Sequence, residues 1–589
     1  MERRNSFIKS VLRTVPMQFR AAPRQTAANN LLSIVHALTW TLGVVATQRL
    51  FDAITRAAAG DAGFADCLIP LLFLAAVTFG QQILNGIHNF YWSIVEGKAQ
   101  PYYRKRLFRK LSVLDPAVFE NTEFLDDVNK ARDGVWWLVP YSMTFLNIFT
   151  FYGVFFVSVG FYLWSLKPVL LVTLLAAFIP AVIGQTVRGK VFTKLEEESA
   201  PLRRENGHYQ SALCDREFFK ETRILGGYRF FHRLFTDTLK LLTQKTWKAE
   251  RKTALLQLAL NLLSFAGIAV SAILLFNATM SGEVSIGAFA AVFRALDTVF
   301  SIMQEIVNSH LGDMNQNLGK VANYFRVLDM PERVGEPGAP DLTLGITAEN
   351  VSFTYPGREE PAVKGVTLTL NDGETVAIVG ENGAGKSTLV RLLTGLYRPS
   401  EGKVTVGGLD TSLTDPSSLY QNTSGVFQGY QRYKMTLAEN VEISDTAAGD
   451  ANRMETVLRD ADADMTIPPD TMLSPEFDGI DLSGGQWQRI AIARGLYRSN
   501  GFIVLDEPTS AIDPIEETRI YEQFRRLSEG KCAVVVTHRL GSAKLAKKII
   551  VMDGGRIVDI GTHEELLARS EGKYADMWAA QARWYARSS

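Results

Sequence analysis

Apolar residues are distributed very differently in the two halves of the chain. The first half contains six long apolar segments, and each is close to the roughly 20 residues that a helix needs to cross a membrane. The second half alternates shorter apolar runs with polar residues, as soluble α/β domains do. The pattern therefore predicts a multidomain protein, in which an all-α domain of six transmembrane helices precedes an α/β domain. The six predicted spans are residues 29–48, 68–92, 138–164, 168–187, 254–280 and 284–310.

The charges between these segments predict how they are oriented. Long basic connections follow the second and fourth segments, with Arg104 and Lys105 in one and Arg203 and Arg204 in the other. The other three connections are short and nearly free of Lys and Arg. Because loops on the cytoplasmic side carry the excess of positive charge, we expect both termini and both long connections to be cytoplasmic. The protein would then lie in a bacterial inner or plasma membrane, with its second half in the cytoplasm.

Composition narrows the class of protein further. The chain has 589 residues, enough for two or more domains, and a formal net charge of zero, so no overall basic charge predicts a nucleic-acid partner. Its cysteines, Cys67, Cys214 and Cys532, are too few and too scattered for a disulfide framework. Residues 1–30 are basic and lack an uninterrupted apolar core, which favours an amphipathic segment on the inner membrane surface over a cleaved signal peptide. A disordered basic tail is the alternative.

A glycine-rich loop in the second half carries the strongest chemical signal. Residues 380–388 read Gly-Glu-Asn-Gly-Ala-Gly-Lys-Ser-Thr, follow an apolar strand and open into a helix, as the pattern G-x-x-x-x-G-K-[ST] requires. In that context backbone N–H groups surround a polyphosphate, Lys386 adds a positive charge, and Ser387 offers a hydroxyl to Mg²⁺. The loop predicts a nucleotide site with Mg²⁺, formed by Gly380, Asn382, Gly383, Gly385, Lys386, Ser387 and Thr388.

Two further motifs follow this loop. Residues 502–507 form an apolar strand that ends in Asp506 and Glu507, a form that brings one carboxylate to Mg²⁺ and the other to the attacking water. Residues 482–486 read Leu-Ser-Gly-Gly-Gln. Together with the phosphate loop, these motifs resemble those of the ATP-binding cassette (ABC) ATPases. The resemblance extends from residue 346 to the C-terminus.

The resemblance implies a role for each motif residue. ATP and Mg²⁺ would bind between two subunits, with Glu507 acting on the water and the switch histidine, His538, lying beside the γ-phosphate. Tyr355 would stack on adenine, and Gln428 would sense both Mg²⁺ and the γ-phosphate. The Mg²⁺ ligands would be Ser387, Gln428 and Asp506. The residues that act from the opposite subunit would be Ser483, Gly484, Gly485, Gln486 and Asp513.

Six spans ahead of one cassette resemble a half-transporter of the exporter type. We therefore expect a transmembrane domain over residues 1–330, a linker rich in proline and glycine over residues 331–345, and an ABC nucleotide-binding domain over residues 346–589. In that fold each long cytoplasmic connection carries a short helix that lies across the ATPase. Residues 115–121 and 220–227 would contain these coupling helices, unless their charges only form a solvated face.

Polar side chains at helical spacing lie within three of the spans. A charge that faces lipid at such a depth costs on the order of 3 kcal/mol, so these faces should point at protein or at a watery cavity. Two interpretations stay open. In the first, these residues line a substrate pathway. In the second, Arg294 and Asp297 neutralise each other, and the asparagine and glutamine amides form hydrogen bonds to neighbouring helices. The residues are Gln81, Asn85 and His88 in the second span, Gln257 and Asn261 in the fifth, and Arg294 and Asp297 in the sixth.

We interpret the chain as one half of a dimeric, ATP-driven exporter, which is an ATP hydrolase coupled to transport. A second copy is the favoured partner, a heterodimer stays open, and the other partners would be membrane lipid and a transported small molecule or peptide. The cargo would be a peptide, a lipid or a drug-like amphipathic compound. One alternative is an importer of metal chelates on the exporter fold. Another, an ATP-gated channel or regulator, is disfavoured by the intact Glu507.

Overall fold

The computed structural model describes residues 2–447, 449–463, 466–498, 500–507, 521–522, 524–526, 528–544, 546–569 and 571–586. The chain divides into two compact units. The first comprises Met1–Arg109 and Asp127–Asp329, and the second comprises Lys110–Asp126 and Met330–Ser589. The second unit is therefore assembled from two stretches that are distant in the sequence.

Long helices build the first unit. Six helical stretches of the described chain are long and apolar enough to cross a membrane, so the predicted six-helix domain is confirmed. The third of these stretches runs from Thr122 to Leu166 and includes a π-helical segment. The helices are α1 Glu2–Ala21, α2 Pro23–Ala58, α3 Phe64–Ser112, α4 Thr122–Asn147, α5 Val154–Leu166, α6 Pro168–Cys214, α7 Phe219–Ile224, α8 Tyr228–Met280, α9 Ile286–Gln304 and α10 Leu311–Leu328.

Two π-helical segments interrupt this unit and contact each other. Ile148–Gly153 joins α4 to α5, and Glu305–His310 joins α9 to α10. The Tyr152 hydroxyl lies 2.7 Å from His310 Nε2, which ties the two segments together. Single π turns within α-helices are frequent at functional sites, and their extra residue shifts the faces of the helix that follows. Apolar periodicity in the sequence gives no sign of them.

The core of the first unit lies where α5, α6, α8 and α9 meet. Buried leucines from three of these helices pack there, with Leu163, Leu170 and Leu275 each at most 2% exposed. The small residues Gly267 and Ala177 let α8 approach α6 closely, because a Cβ added at Gly267 would lie 2.8 Å from that of Ala177. Close backbone approach at small residues is the usual means of packing helices in a membrane.

Two sheets form the centre of the second unit. The first has the order β2-β1-β4-β5 and is antiparallel, and the second has the order β10-β9-β3-β8-β7-β6, in which only the β9–β10 pair is antiparallel. Strands β3, β7 and β8 are almost fully buried, which explains their unbroken apolar sequences. The strands are β1 Ile346–Phe353, β2 Val363–Leu370, β3 Thr375–Gly380, β4 Glu401–Val406, β5 Leu409–Asp410, β6 Thr423–Val426, β7 Phe502–Asp506, β8 Cys532–Val536, β9 Lys548–Asp553 and β10 Arg556–Gly561.

Short helices cover these sheets, and α11 packs between them as part of the largest core cluster. That cluster also includes Ala117, from the 3₁₀ helix Pro116–Glu120, which precedes α4 in the chain. The helices are α11 Lys386–Leu393, α12 Pro416–Tyr420, α13 Leu437–Glu442, α14 Ala451–Asp460, α15 Gly484–Tyr497, α16 Leu540–Ala543, α17 His563–Leu567 and α18 Lys573–Ala586.

Candidate active site

The topology of the second sheet brings four separate motifs to one edge. Strands β3, β8, β7 and β6 are adjacent and parallel, so the loops that follow them emerge at the same edge. The phosphate loop follows β3, and Gln428 lies two residues after β6. Glu507 directly follows β7, and His538 lies two residues after β8. Residues that are up to 158 positions apart therefore meet at one site, from Gly380 to His538.

The phosphate loop has the backbone that a polyphosphate cradle needs. Gly383 and Gly385 have φ angles of 84° and 94°, a left-handed conformation that favours glycine. Gly385 caps the N-terminus of α11, where the free N–H groups and the helix dipole favour an anion. The Lys386 side chain is 6% exposed, and its ammonium donates to the carbonyls of Gly380 at 3.0 Å and Glu381 at 3.1 Å. The cation is thus folded back over the loop.

A hydroxyl and a carboxylate form the part of the site that fits Mg²⁺. Ser387 Oγ donates to Asp506 Oδ1 at 3.1 Å, and Asp506 is 3% exposed. Burial raises the pKa of Asp506 and the neighbouring Glu507 charge adds to this, while the hydrogen bond from Ser387 opposes it. A buried carboxylate beside a hydroxyl is a set of hard oxygen donors, the type that Mg²⁺ prefers. The residues present therefore fit this ion.

Side chains from three other motifs approach the Glu507 carboxylate. Its carboxylate accepts a hydrogen bond from Gln428 Nε2 at 3.1 Å and lies 3.7 Å from Lys386 Nζ and 3.8 Å from His538 Nδ1. Its side chain is 12% exposed, whereas that of His538 is 45% exposed. Glu507 has a φ of 45°, which is uncommon for a residue with a side chain and is often found at active sites. This geometry aims an acceptor at the space above the phosphate loop.

A polar network extends from the nucleotide loop to the 3₁₀ helix Pro116–Glu120. The Tyr355 hydroxyl lies 2.9 Å from Thr388 Oγ1 and accepts from Arg391 Nη1 at 3.3 Å. Arg391 also donates to the Tyr397 hydroxyl at 3.0 Å and to Glu120 at 3.2 Å, and Tyr397 donates to Glu120 at 2.5 Å. Continuous hydrogen bonds thus join Glu120 to the phosphate loop within the second unit.

The Leu-Ser-Gly-Gly-Gln motif, residues 482–486, begins a helix. Ser483 caps α15 and forms a capping box with Gln486, whose side chain returns a hydrogen bond to the Ser483 backbone. A Cβ added at Gly484 or Gly485 would meet no atom within 4 Å, so the first turn is open on that side. Asp513, also predicted to act across the dimer, lies outside the described residues.

Comparison with known proteins decides the family. A family model described as an ABC transporter matches residues 363–510, and one described as an ABC transporter transmembrane region matches residues 27–303. The subtilin transport ATP-binding protein SpaT of Bacillus subtilis is 32% identical over 85% of this chain and 83% of that protein. The chain belongs to the ABC transporter family.

Further relatives of this ABC transporter act on different cargoes. The nisin transport ATP-binding protein NisT of Lactococcus lactis subsp. lactis is 30% identical over 65% of this chain and 66% of its own length. The ATP-dependent lipid A-core flippase of Salmonella typhimurium is 27% identical over 87% of this chain and 89% of its own length.

A solved structure agrees with the exporter fold. The structure of a bacterial Atm1-family ABC exporter with ATP bound is 24% identical, has a TM-score of 0.81, and covers 95% of this chain and 99% of that chain. The predicted family and fold class are therefore confirmed. The protein is an exporter-type half-transporter that resides in a membrane and couples ATP hydrolysis to transport.

In the ABC transporter's second span, the predicted polar residues divide into buried and exposed ones. Gln81 is buried and donates to the Thr39 carbonyl at 2.8 Å. His88 is also buried, and its Nε2 lies 2.8 Å from Ser33 Oγ. Asn85, between them, is exposed in this chain. Gln81 and His88 therefore hold α3 against α2, whereas Asn85 accepts a hydrogen bond of 3.5 Å from Asn89 on its own helix.

The fifth and sixth spans contain the other predicted set. Asn261 accepts from Gln304 Nε2 at 3.4 Å, and Gln257 accepts from Arg188 Nη1 at 3.4 Å. These contacts join α8 to α9 and α8 to α6.

The charges of the sixth span do not form the pair that one interpretation predicted. Within the described part of the chain, no salt bridge joins Arg294 to Asp297, and Arg294 Nη1 instead lies 3.4 Å from Thr47 Oγ1. Both charged side chains are exposed. In this structure Arg294 therefore contacts α2 rather than Asp297, whereas Asn261 and Gln257 bond across helices as the structural interpretation expected.

Some site residues carry no motif and were missed. Arg391 and Tyr397 lie on and just after α11, and only their contacts with Tyr355 and Glu120 reveal them. In the sequence, only the position of Arg391, one helical turn beyond the phosphate loop, could have indicated a role near the site, and this indication is weak.

Proposed function

We propose that the protein is one half of a homodimeric exporter whose two ATP sites are each completed by the second copy. The contacts of Glu507 carry this proposal, since Gln428, His538 and Lys386 all approach its carboxylate. Each site would hydrolyse ATP, so a catalytically silent partner is not needed. A second copy would contribute Ser483, Gly484, Gly485, Gln486 and Asp513.

The proposed chemistry combines these positions with the roles that the family resemblance implies. Backbone N–H groups of the phosphate loop and Lys386 hold the phosphates, while Tyr355 stacks on the adenine. Ser387, Gln428 and Asp506 would hold Mg²⁺, which when bound neutralises phosphate charge. Glu507 accepts the proton of the attacking water, or aligns it, and His538 holds the γ-phosphate.

ATP turnover would be coupled to the membrane helices through the polar network at Glu120. A half-exposed ion pair such as Arg391–Glu120 contributes only about 0–1 kcal/mol to stability, so its contacts suit a signalling role better than a stabilising one. Residues 115–121 are then the first coupling segment, as the resemblance implies. The second predicted segment, residues 220–227, overlaps the end of α7, where Ile224 and the following Leu225 are 87% and 73% exposed and offer an apolar contact surface.

We further propose that the ATP sites face the cytoplasm of a bacterial cell. On intact cells, a membrane-impermeant thiol reagent should then label Cys67 and not Cys214, which is exposed at the end of α6. Permeabilised cells should show both labels, and Cys532 should react only after denaturation because it is buried in β8. The variants Cys67→Ser and Cys214→Ser identify each label. Labelling of Cys214 in intact cells would reverse the orientation.

The cargo is proposed to be amphipathic, with a peptide favoured over a lipid. SpaT and NisT are named for transport of subtilin and nisin, and the flippase for lipid A-core. A pathway lined by Asn85, Arg294 and Asp297 would offer both charges and apolar walls. The direct test is ATP-dependent movement of labelled nisin or labelled lipid A in proteoliposomes. Failure to move either compound under conditions of active hydrolysis would remove this cargo class.

The charges of the sixth span give the proposal a specific test. Replacing Arg294 and Asp297 together with leucine should leave basal ATP turnover intact, since both lie in the membrane unit. The concentration of nisin or lipid A needed for stimulation should rise about tenfold or more, because hydrogen bonds to charged groups contribute about 1.5–3 kcal/mol. The matched control is Lys167→Gln with Glu283→Gln, which breaks a 2.7 Å pair at the membrane edge. Equal stimulation in both double variants would exclude a cargo contact.

A further inference from the structure

The C-terminal helix α18 contacts two loops of the ATP site. Tyr574, near its start, is fully buried in one core cluster with Leu540, Leu566 and apolar residues of β3. The helix is thereby fixed to the same sheet that carries the phosphate loop. Side chains that project from it are held by a rigid element, which is the usual requirement for precise positioning of a neighbouring group.

The Gln581 amide both donates and accepts a hydrogen bond with the backbone of the loop that carries His538. Its Nε2 donates to the His538 carbonyl at 2.6 Å, and its Oε1 accepts from the Leu540 N–H at 3.1 Å. One amide thus bonds the backbone on both sides of Arg539. Only an amide of this length satisfies a carbonyl and an N–H together, because a carboxylate has no hydrogen to donate.

The position of the His538 ring depends on this backbone. Its side chain is 45% exposed, so packing holds it only in part, and its Nδ1 lies 3.8 Å from Glu507 Oε2. A partly packed side chain depends on its own main chain for its position. A shift of the loop would therefore move the histidine relative to Glu507 and to the phosphate that both would face.

We propose that Gln581 is a positioning residue for ATP hydrolysis, which fixes the His538 backbone and through it the distance between His538 and Glu507. This inference rests on the proposed roles of His538 and Glu507 in the site. Gln581 itself touches neither nucleotide nor water in this scheme.

The other end of α18 contacts the phosphate loop by a different interaction. Lys573 Nζ lies 2.6 Å from Glu381 and 3.5 Å from Asp553. The hydrogen bond to Glu381 raises the pKa of Lys573, so the lysine stays charged at neutral pH. The two ends of one helix thus contact the two loops that would bind and hydrolyse ATP, and their variants should differ in kinetics.

The test is steady-state ATP hydrolysis by the full-length protein in lipid nanodiscs with Mg²⁺-ATP. Gln581→Met, which keeps the side-chain length and removes both hydrogen bonds, should lower kcat about tenfold or more with little change in KM, since a misplaced catalytic group commonly costs up to about 10². Gln581→Glu should lower kcat at least as much. Lys573→Gln should leave kcat unchanged and raise KM only slightly, because an exposed ion pair contributes little.

Two comparisons separate positioning from a merely structural role. The matched control is Arg583→Met on the same helix, because the Arg583 Nε donates to the Ala579 carbonyl one turn earlier in that helix, and the kcat of this variant should equal that of the wild type. In a His538→Ala background, Gln581→Met should cause no further loss, as expected for residues that act through one another. A full tenfold loss in that background, or equal kcat values for Gln581→Met and Arg583→Met, would overturn the proposal.

Stability and the proposed function are followed in parallel. Thermal unfolding of each variant shows whether it is folded, and if Gln581→Met is not, the near-isosteric Gln581→Glu carries the same comparison. Glu507→Gln is measured alongside. Loss of turnover in Glu507→Gln with normal turnover in the Gln581 variants removes only the positioning role. Normal turnover in Glu507→Gln removes the proposed site itself.

Discussion

Replacing Glu507 with glutamine is expected to lower ATP turnover by about 10² to 10⁴-fold, the usual contribution of a general base, and to leave ATP affinity nearly unchanged. Glutamine keeps the shape of the side chain and one acceptor oxygen for Gln428, which now bonds the carboxylate at 3.1 Å. It removes the carboxylate that we propose accepts the proton of water. ATP should then persist between the two copies, and the closed dimer should accumulate.

Turnover and the distance between the two cassettes, measured by paired spin labels with Mg²⁺-ATP, test both parts of this expectation. Glu455→Gln is a matched control, because Glu455 forms an exposed pair with Arg459 on α14, away from the site. Near-normal turnover in Glu507→Gln would remove its catalytic role. Cassettes that stay apart while ATP is bound would instead break the link between binding and closure.

Replacing Lys386 with alanine is expected to weaken ATP binding itself by about 10- to 100-fold, as the loss of a hydrogen bond to a charged group of about 1.5–3 kcal/mol requires. The ammonium is almost completely buried and bonds two carbonyls of its own loop, so it is already held where phosphates would bind. Its loss also removes a cation that lies 3.7 Å from the Glu507 carboxylate. Hydrolysis should therefore fall together with affinity.

Binding of a fluorescent ATP analogue to the purified protein measures this effect directly. Lys403→Ala is the matched control, because Lys403 is half-exposed and lies 3.9 Å from Asp410. Both residues belong to the antiparallel sheet, not to the sheet that carries the phosphate loop. An affinity in Lys386→Ala equal to that in Lys403→Ala would contradict the assignment of the phosphate loop. Glu507→Gln should keep its ATP affinity and lose turnover, so comparing the two variants separates the contribution to ATP binding from the contribution to hydrolysis.

The parts of the fold that depend on local pattern could be predicted from the sequence. The six apolar spans are long enough to be recognised by length alone, and the apolar run before Gly380 identifies β3 because both faces of that strand are buried. The π-helical segments could not be predicted. Ile148–Gly153 is as apolar as the helices around it, so the change of hydrogen-bond pattern leaves no trace in composition.

The site could be predicted only where motif residues follow parallel strands. The phosphate loop and Glu507 meet because their strands lie in one sheet, which the motif order implies. Arg294 shows the opposite case, since its nearest partner, Thr47, is on another helix and no local spacing reveals it. Gln581 is similar, as it contacts residues 43 positions away through an amide that carries no motif.

The 3₁₀ helix Pro116–Glu120 has a consequence for biosynthesis. Glu120 leaves the ribosome 277 residues before its partner Tyr397, and four more spans must be inserted between them. At about 5–20 residues per second, this segment waits roughly 15 to 55 s for the cassette against which it packs. The ATPase unit therefore completes its fold only after membrane insertion. A recombinant cassette that begins at the linker would lack this segment, leaving Arg391 without its carboxylate and the apolar contact of Ala117 open to water.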